Sequence, residues 1–164
     1  MFIRQLFISS GHNFFGHHGR PADDYPIEEV ERIECVAGHG IRGDRFYDFK
    51  NNYRGQITFF ATEIFERLCA QFPETKKSPA VLRRNVLVAG VDLNTLIGEE
   101  FELQGVRFRG TAECSPCYWM DGAFALGTKQ ALTGQGGLRA QILTSGWLSC
   151  GEARLAVKQG ELAL

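Results

Sequence analysis

Nineteen glycines cut this chain into short segments, and their placement constrains its fold more than any other feature. Gly90, Gly98 and Gly105 separate three β-prone runs, 84–89, 100–103 and 106–112. Short runs rich in β-branched and aromatic residues, bounded by glycine, read as strands, because glycine adopts turn conformations that its neighbours disfavour. The same reading predicts strands over 2–9, 27–36, 56–60, 138–144 and 152–157. One stretch carries a clear helical period: 63–72, with Ile64, Phe65, Leu68 and Phe72 on one face, Thr62 as its cap and Pro73 as its stop. A shorter helix is predicted over 128–133. So many short strands with so few helices predict a mainly β fold, a closed or nearly closed barrel with a few peripheral helices. A sandwich stays open as an alternative, since periodicity does not separate the two. At 164 residues the chain matches a single domain over 1–164, large enough to bury a core without covalent staples.

The formal net charge of −1 lacks the basic excess expected of a protein that binds duplex nucleic acid or a membrane surface. The first ten residues carry no basic segment followed by a long apolar run, and no stretch reaches 18 apolar residues. The expectation is a cytoplasmic protein with no membrane or nucleic-acid partner. Five cysteines, at 35, 69, 114, 117 and 150, are odd in number and irregular in spacing. They read as free thiols, mostly buried as small apolar side chains, rather than as a disulfide framework.

Two of them form Cys114-Ser115-Pro116-Cys117, followed at once by Tyr118, Trp119 and Asp121. A structural zinc site needs four ligands, and no second Cys-x-x-Cys or matching histidine pair is present. A thioredoxin-like couple sits in an α/β pattern that this chain lacks. Core filling by both thiols is a further reading. Against it, Pro116 stiffens the backbone before Cys117 and suits that thiol to a defined presentation. Sulfur favours a soft metal such as molybdenum or copper over calcium or magnesium.

Arginine clusters beside glycines and turns: Arg42 and Arg45 around Gly43-Asp44, Arg54 after Tyr53, Arg83-Arg84 before Asn85, and Arg139 after Gly136-Gly137. Each alone reads as a solvated charge. Together they suggest an anionic, phosphorylated ligand, since the guanidinium fork matches phosphate oxygens. His12, His17, His18 and His39 lie in glycine-flanked loops, where proton transfer or ligand contact is open to them.

Gly40-Ile41-Arg42-Gly43-Asp44-Arg45, Arg84-Asn85-Val86, Gly90-Val91-Asp92-Leu93, Leu96-Ile97-Gly98, Pro116-Cys117, Gly136-Gly137-Leu138-Arg139 and Cys150-Gly151-Glu152 occur in that order. Over about residues 25–158 the chain thereby resembles the MOSC domain, named for the C-terminal domain of molybdenum cofactor sulfurases. The resemblance implies a β-barrel of the pyruvate-kinase-insert type and a role around the molybdenum cofactor (molybdopterin). The family's signature cysteine falls on Cys117, implied as the metal ligand or sulfur carrier, with Cys114 as a neighbour. Asp121 is implied as a second catalytic group that orients a bound species, or as a strand end. Arg42, Arg45, Arg84, Asn85 and Arg139 are implied to bind the cofactor.

Members of the family include amidoxime-reducing and hydroxylaminopurine-detoxifying proteins. The resemblance therefore implies a cofactor or sulfur carrier, or the catalytic component of a reductase of N-hydroxylated small molecules. A separate electron-transfer protein or sulfur donor would serve as partner. The competing reading is a non-catalytic module for another phosphorylated ligand, with structural cysteines. The loop from His12 to His18 departs from the shorter basic turn expected of many relatives, and reads as a lid or a substrate contact.

Overall fold

A computed structural model describes residues 1–158, so the last six residues of the expected 1–164 domain lie outside the described residues. In chain order the first half holds β1 (Phe2–Ile8), β2 (Glu28–Val30), β3 (Arg32–Val36), β4 (Gly40–Ile41), β5 (Ile57–Ala61), α1 (Thr62–Gln71) and β6 (Val86–Ala89). The second half holds β7 (Glu100–Leu103), β8 (Val106–Glu113), α2 (Trp119–Ala123), α3 (Thr128–Ala131), β9 (Leu138–Ile142), β10 (Gly146–Ser149), β11 (Gly151–Glu152) and β12 (Ala156–Lys158). The fold is mainly β with few helices. No helix among the described residues is long and apolar enough to cross a membrane.

A nine-stranded sheet runs β11-β1-β6-β5-β9-β8-β7-β12, with β2 also on β1, and a three-stranded sheet runs β10-β3-β4. Both sheets bury their inner faces in one core: Ile33, Cys35, Ile41 and Leu148 of the small sheet join Ile3, Phe59, Phe101, Phe108 and Leu138 of the large one. β5 reads Ile-Thr-Phe-Phe-Ala and is buried throughout, because it lies between β6 and β9 with α1 packed nearby. A strand covered on both faces loses its polar alternation. β5 and β6 are parallel, so residues 62–85 must cross over between them, and α1 makes part of that crossover. The β7–β8 turn is a two-residue loop, Gln104-Gly105, with φ of 49° and 81°. Two positive φ values match the right-handed twist of the flanking strands.

Expected barrel closure is not found among the described residues: the large sheet is an open path whose end strands, β11 and β12, do not pair with each other. They are neighbours in sequence yet occupy opposite ends of the sheet. Residues 153–155 span the gap, a covalent bridge no longer than about 14 Å over its four virtual bonds. The predicted strand over 152–157 therefore splits into two pieces that pair at opposite ends of the sheet. The predicted strand over 27–36 also splits, at Glu31: β2 stays on β1 while β3 leaves for the small sheet. Predicted helix 63–72 is α1, but Thr62 is not its cap. Ala61 holds that position, and the Thr62 hydroxyl is buried without a partner among the described residues. β10 and α2 were not expected from the sequence.

Candidate functional site

One cleft of about 420 Å³ gathers most of the residues singled out above. Thr58 of β5 and the turn before β6 line it, and a buried polar frame ties both to the end of β1. Asn85 accepts from the Thr58 N–H at 3.0 Å and from the Thr58 hydroxyl at 2.9 Å, and its amide donates to the Phe7 carbonyl at 3.2 Å. The same amide reaches Asp44 Oδ1 at 3.3 Å. Asp44 also accepts from the Ser9 N–H at 3.1 Å and from Arg45 Nη1 at 3.2 Å, with no exposed side-chain surface. Asn85 does not line the cleft. It holds Asp44, and Asp44 holds Arg45.

Four guanidinium groups reach the cleft wall, from Arg45, Arg83, Arg84 and Arg139, and the Lys129 ammonium joins them at the rim. Among the described residues no aspartate or glutamate lines it. Arg83 is buried with a φ of 56°, a left-handed conformation that costs about 1–3 kcal/mol for a residue with a Cβ. Its Nη2 donates to the Ser9 hydroxyl at 3.1 Å and the Gly11 carbonyl at 2.6 Å. Arg84 spreads its fork over three carbonyls: Gly136 at 3.0 Å, Leu82 at 2.9 Å and Cys114 at 2.9 Å. It works as a strut between the turn before β6 and the Cys114 segment. Crowding of like charge shows in the electrostatics. Burial, then Arg45, push the Arg83 guanidinium down to about 10, against the pull of Asp44. Burial likewise lowers Arg45, with Arg84 adding to the effect and Asp44 opposing it. Burial and Arg45 lower His12. A site whose cations repel one another gains most from an anion.

Both thiols of Cys114-Ser115-Pro116-Cys117 line this cleft. Cys114, at the end of β8, is buried, donates its N–H to the Gly137 carbonyl at 2.7 Å, and turns its sulfur toward Arg139. Burial is the largest single influence on Arg139 and lowers its pKa, but Cys114, Tyr53 and Cys117 together outweigh it and the net shift is upward. Cys117 is exposed, at the turn that enters α2. Cys35 is the opposite case, a core thiol that burial pushes up to about 12.

Aromatic rings form the sides. Phe14 stacks on Trp119 at 5.1 Å, Trp119 on Tyr118 at 5.0 Å, and Phe46 on Tyr53 at 5.2 Å. The loop that departs from the expected turn supplies part of this wall. Phe14 lies 5.8 Å from the Arg83 guanidinium, and the Tyr118 hydroxyl meets His18 Nδ1 at 3.3 Å.

Of the sequence-predicted site residues, the structure brings together Cys117, Arg45, Arg84 and Arg139. Arg42 stands outside, exposed, paired to Glu34 Oε2 at 2.6 Å and lying over Tyr47. Asp121 is also outside, and it ends no strand. It sits in α2, and its carboxylate accepts from the Lys129 N–H at 2.8 Å, tying α2 to the start of α3. Arg83, Cys114, Tyr53, Phe14 and Trp119 were missed as site residues. The Arg83-Arg84 pair was visible in the sequence, but nothing local tells that both of two adjacent arginines reach one cleft.

A family model described as the MOSC domain matches residues 17–161. Solved structures share the fold at low identity. YuaD of Bacillus subtilis is 17% identical with a TM-score of 0.68, covering 97% of this chain and 100% of its own. YiiM of Geobacillus stearothermophilus is 14% identical with a TM-score of 0.70, covering 99% of this chain and 77% of its own. YiiM of Escherichia coli is 17% identical with a TM-score of 0.63, covering 96% and 70%. No curated protein matches the sequence.

Proposed function

This chain belongs to the MOSC domain family, which is associated with the molybdenum cofactor, and from that premise we infer that its cleft holds that cofactor, with Cys117 as the protein's ligand to the metal. The observation that carries the reading is one opening shared by an exposed thiol and four guanidinium groups, with no carboxylate in the wall among the described residues. Among the described residues no group of three or more His, Cys, Asp or Glu side chains could hold a metal ion by itself. A metal seated here would thus take most of its ligands from a non-protein group, as a dithiolene pterin provides. The residues present fit such a group. A thiolate suits a soft metal, the guanidinium forks of Arg45, Arg83 and Arg139 suit a phosphate, and the Phe14–Trp119 and Phe46–Tyr53 stacks suit a flat ring system.

Bound there, the cofactor supplies the two-electron chemistry that removes oxygen from an N–O bond. The chain's own contribution is placement. Arg84 fixes the Cys114 carbonyl and, through it, the approach to Cys117. Asp44 keeps Arg45 aimed at the cleft. The reaction we favour is reduction of N-hydroxylated small molecules, with electrons from a separate electron-transfer protein in a cytoplasmic setting.

Protein produced in a host that makes the cofactor should carry about one molybdenum per chain. Cys117→Ala should lose it, and Cys114→Ala should retain most of it. Metal-free wild type whose affinity for the cofactor is unchanged by Cys117→Ala would instead favour a module for another phosphorylated ligand. Turnover of an N-hydroxylated heterocycle with an artificial electron donor separates a reductase from a carrier.

A further inference from the structure

Cys114 is the part of the cleft that metal binding leaves without a task. A core cysteine such as Cys35 is walled in by apolar side chains of the central cluster. Cys114 is nearly as buried, yet it lines the cleft and its sulfur faces a guanidinium. Its backbone is held at both ends: the N–H on the Gly137 carbonyl at 2.7 Å, the carbonyl on Arg84 Nη2 at 2.9 Å. Three positions on, Cys117 lines the same cleft and is exposed, and Arg139 lines it beside them both. A held thiol beside a cation and an accessible thiol three residues away are the two halves of a thiol–disulfide couple.

We propose that Cys114 is a resolving thiol for Cys117, so that the pair releases sulfane sulfur carried on Cys117 as hydrosulfide. The sulfur comes from a low-molecular-weight persulfide, which leaves a persulfide on Cys117 Sγ. The Cys114 thiolate attacks Cys117 Sγ. A Cys114–Cys117 bond forms, the bond from Cys117 Sγ to the outer sulfur breaks, and that sulfur leaves with the electron pair as hydrosulfide. Two thiols are oxidised to one disulfide, and one sulfane sulfur is reduced to sulfide. A dithiol reductant returns the pair to its starting state. Arg139 is positioned to hold the attacking anion. Closing the bridge draws on the exposed Ser115 and Cys117, whereas Cys114 stays in place.

This step uses no metal, so protein made without cofactor tests it independently of the reading above. Cofactor-free protein is treated with inorganic polysulfide, desalted, and followed by hydrosulfide release and by mass. Trypsin places both thiols, and no other cysteine, on the peptide 110–129. In wild type, about one hydrosulfide per chain should be released while that peptide ends two hydrogens lighter than its reduced form. Cys114→Ser should keep the added sulfur on Cys117 and release hydrosulfide about tenfold more slowly. Arg139→Gln should also slow release, with the bridge still formed. The peptide assignment in wild type stands even if a variant folds poorly. Persistent persulfide on the wild-type peptide, a bridge to any other cysteine, or release by Cys114→Ser at the wild-type rate overturns the proposal.

Discussion

Replacing Gly136 by alanine presses directly on the segment that presents both thiols. A Cβ added there would lie 2.4 Å from the Cys114 carbonyl oxygen and 2.9 Å from Pro116 Cδ, where ordinary contact begins at 3.4 Å. The methyl has no flexible neighbour to push aside, so backbone must move by about 1 Å. Gly136 is pinned from its other side: its carbonyl accepts from Arg84 Nε at 3.0 Å and its N–H donates to Glu113 Oε1 at 3.0 Å. The displacement therefore falls on Cys114-Ser115-Pro116. Overpacking of this kind costs about 1–3 kcal/mol, or roughly 3–10 °C in Tm for a domain of this size. The functional loss should be larger, since a misplacement of about 1 Å at a reacting group costs on the order of a hundredfold in rate. Gly122→Ala is the control: it lies in α2 with open space around it, and should be neutral or stabilising by about 0.5–1 kcal/mol. Both variants should be compared by thermal unfolding, by the alkylation rate of Cys117, and by molybdenum retained per chain. A folded Gly136→Ala protein that alkylates and retains metal like wild type would refute the argument that this glycine sets the thiol geometry.

Three further outcomes are expected. Thr62→Val removes a buried hydroxyl without a partner while keeping its shape, and should stabilise by about 1 kcal/mol in denaturant unfolding. Arg42→Ala, outside the cleft on an exposed pair, should leave cofactor content unchanged, whereas Arg139→Ala should reduce it at least about tenfold by loss of a charged hydrogen-bond donor. The third concerns His17, whose two ring nitrogens meet the Phe15 carbonyl and Asp23 Oδ2, each at 2.8 Å. Only the imidazolium can donate to both. The Phe15 carbonyl and then Asp23 raise its pKa above the ordinary value, with Arg20 opposing. A raised histidine pKa means that the clasp is complete below about pH 6.5 and is lost as pH rises through the folded value. Amide exchange across residues 13–25 should quicken over that window, and His17→Gln should abolish the dependence.

The strand order was less legible in the sequence than the strands themselves. Glycine spacing located β7, β8 and their hairpin closely, because a local turn makes that pairing and Gln104-Gly105 carries its signature. Helix α1 was equally clear from its apolar face. What failed was each place where one strand-like run divides between two pairing partners. Residues 27–36 keep their β character on both sides of Glu31, so nothing local reveals that pairing changes there. In the cleft, Cys117 and three of the arginines were visible through glycine-adjacent motifs. Asn85 looked like a ligand residue because buried polar frames and binding sites use the same side chains. Arg42 and Asp121 were misplaced for a related reason: a charge near a glycine turn has no preferred side until the tertiary fold gives it one. Cys114 was discounted as a neighbour, since only the folded arrangement turns its sulfur to Arg139.

The arrangement of β1, β11 and β12 has a kinetic corollary. Phe2 is matched with Glu152, about 150 residues apart, and the Met1 and Ala153 backbones are joined beside that pair. Ribosomal synthesis delivers the early strand long before its mate, so that flank of β1 waits uncovered while almost all the rest of the chain emerges. Sealing the interior then requires a distant loop closure, which is slow by its entropy and leaves a nascent edge open to other chains meanwhile.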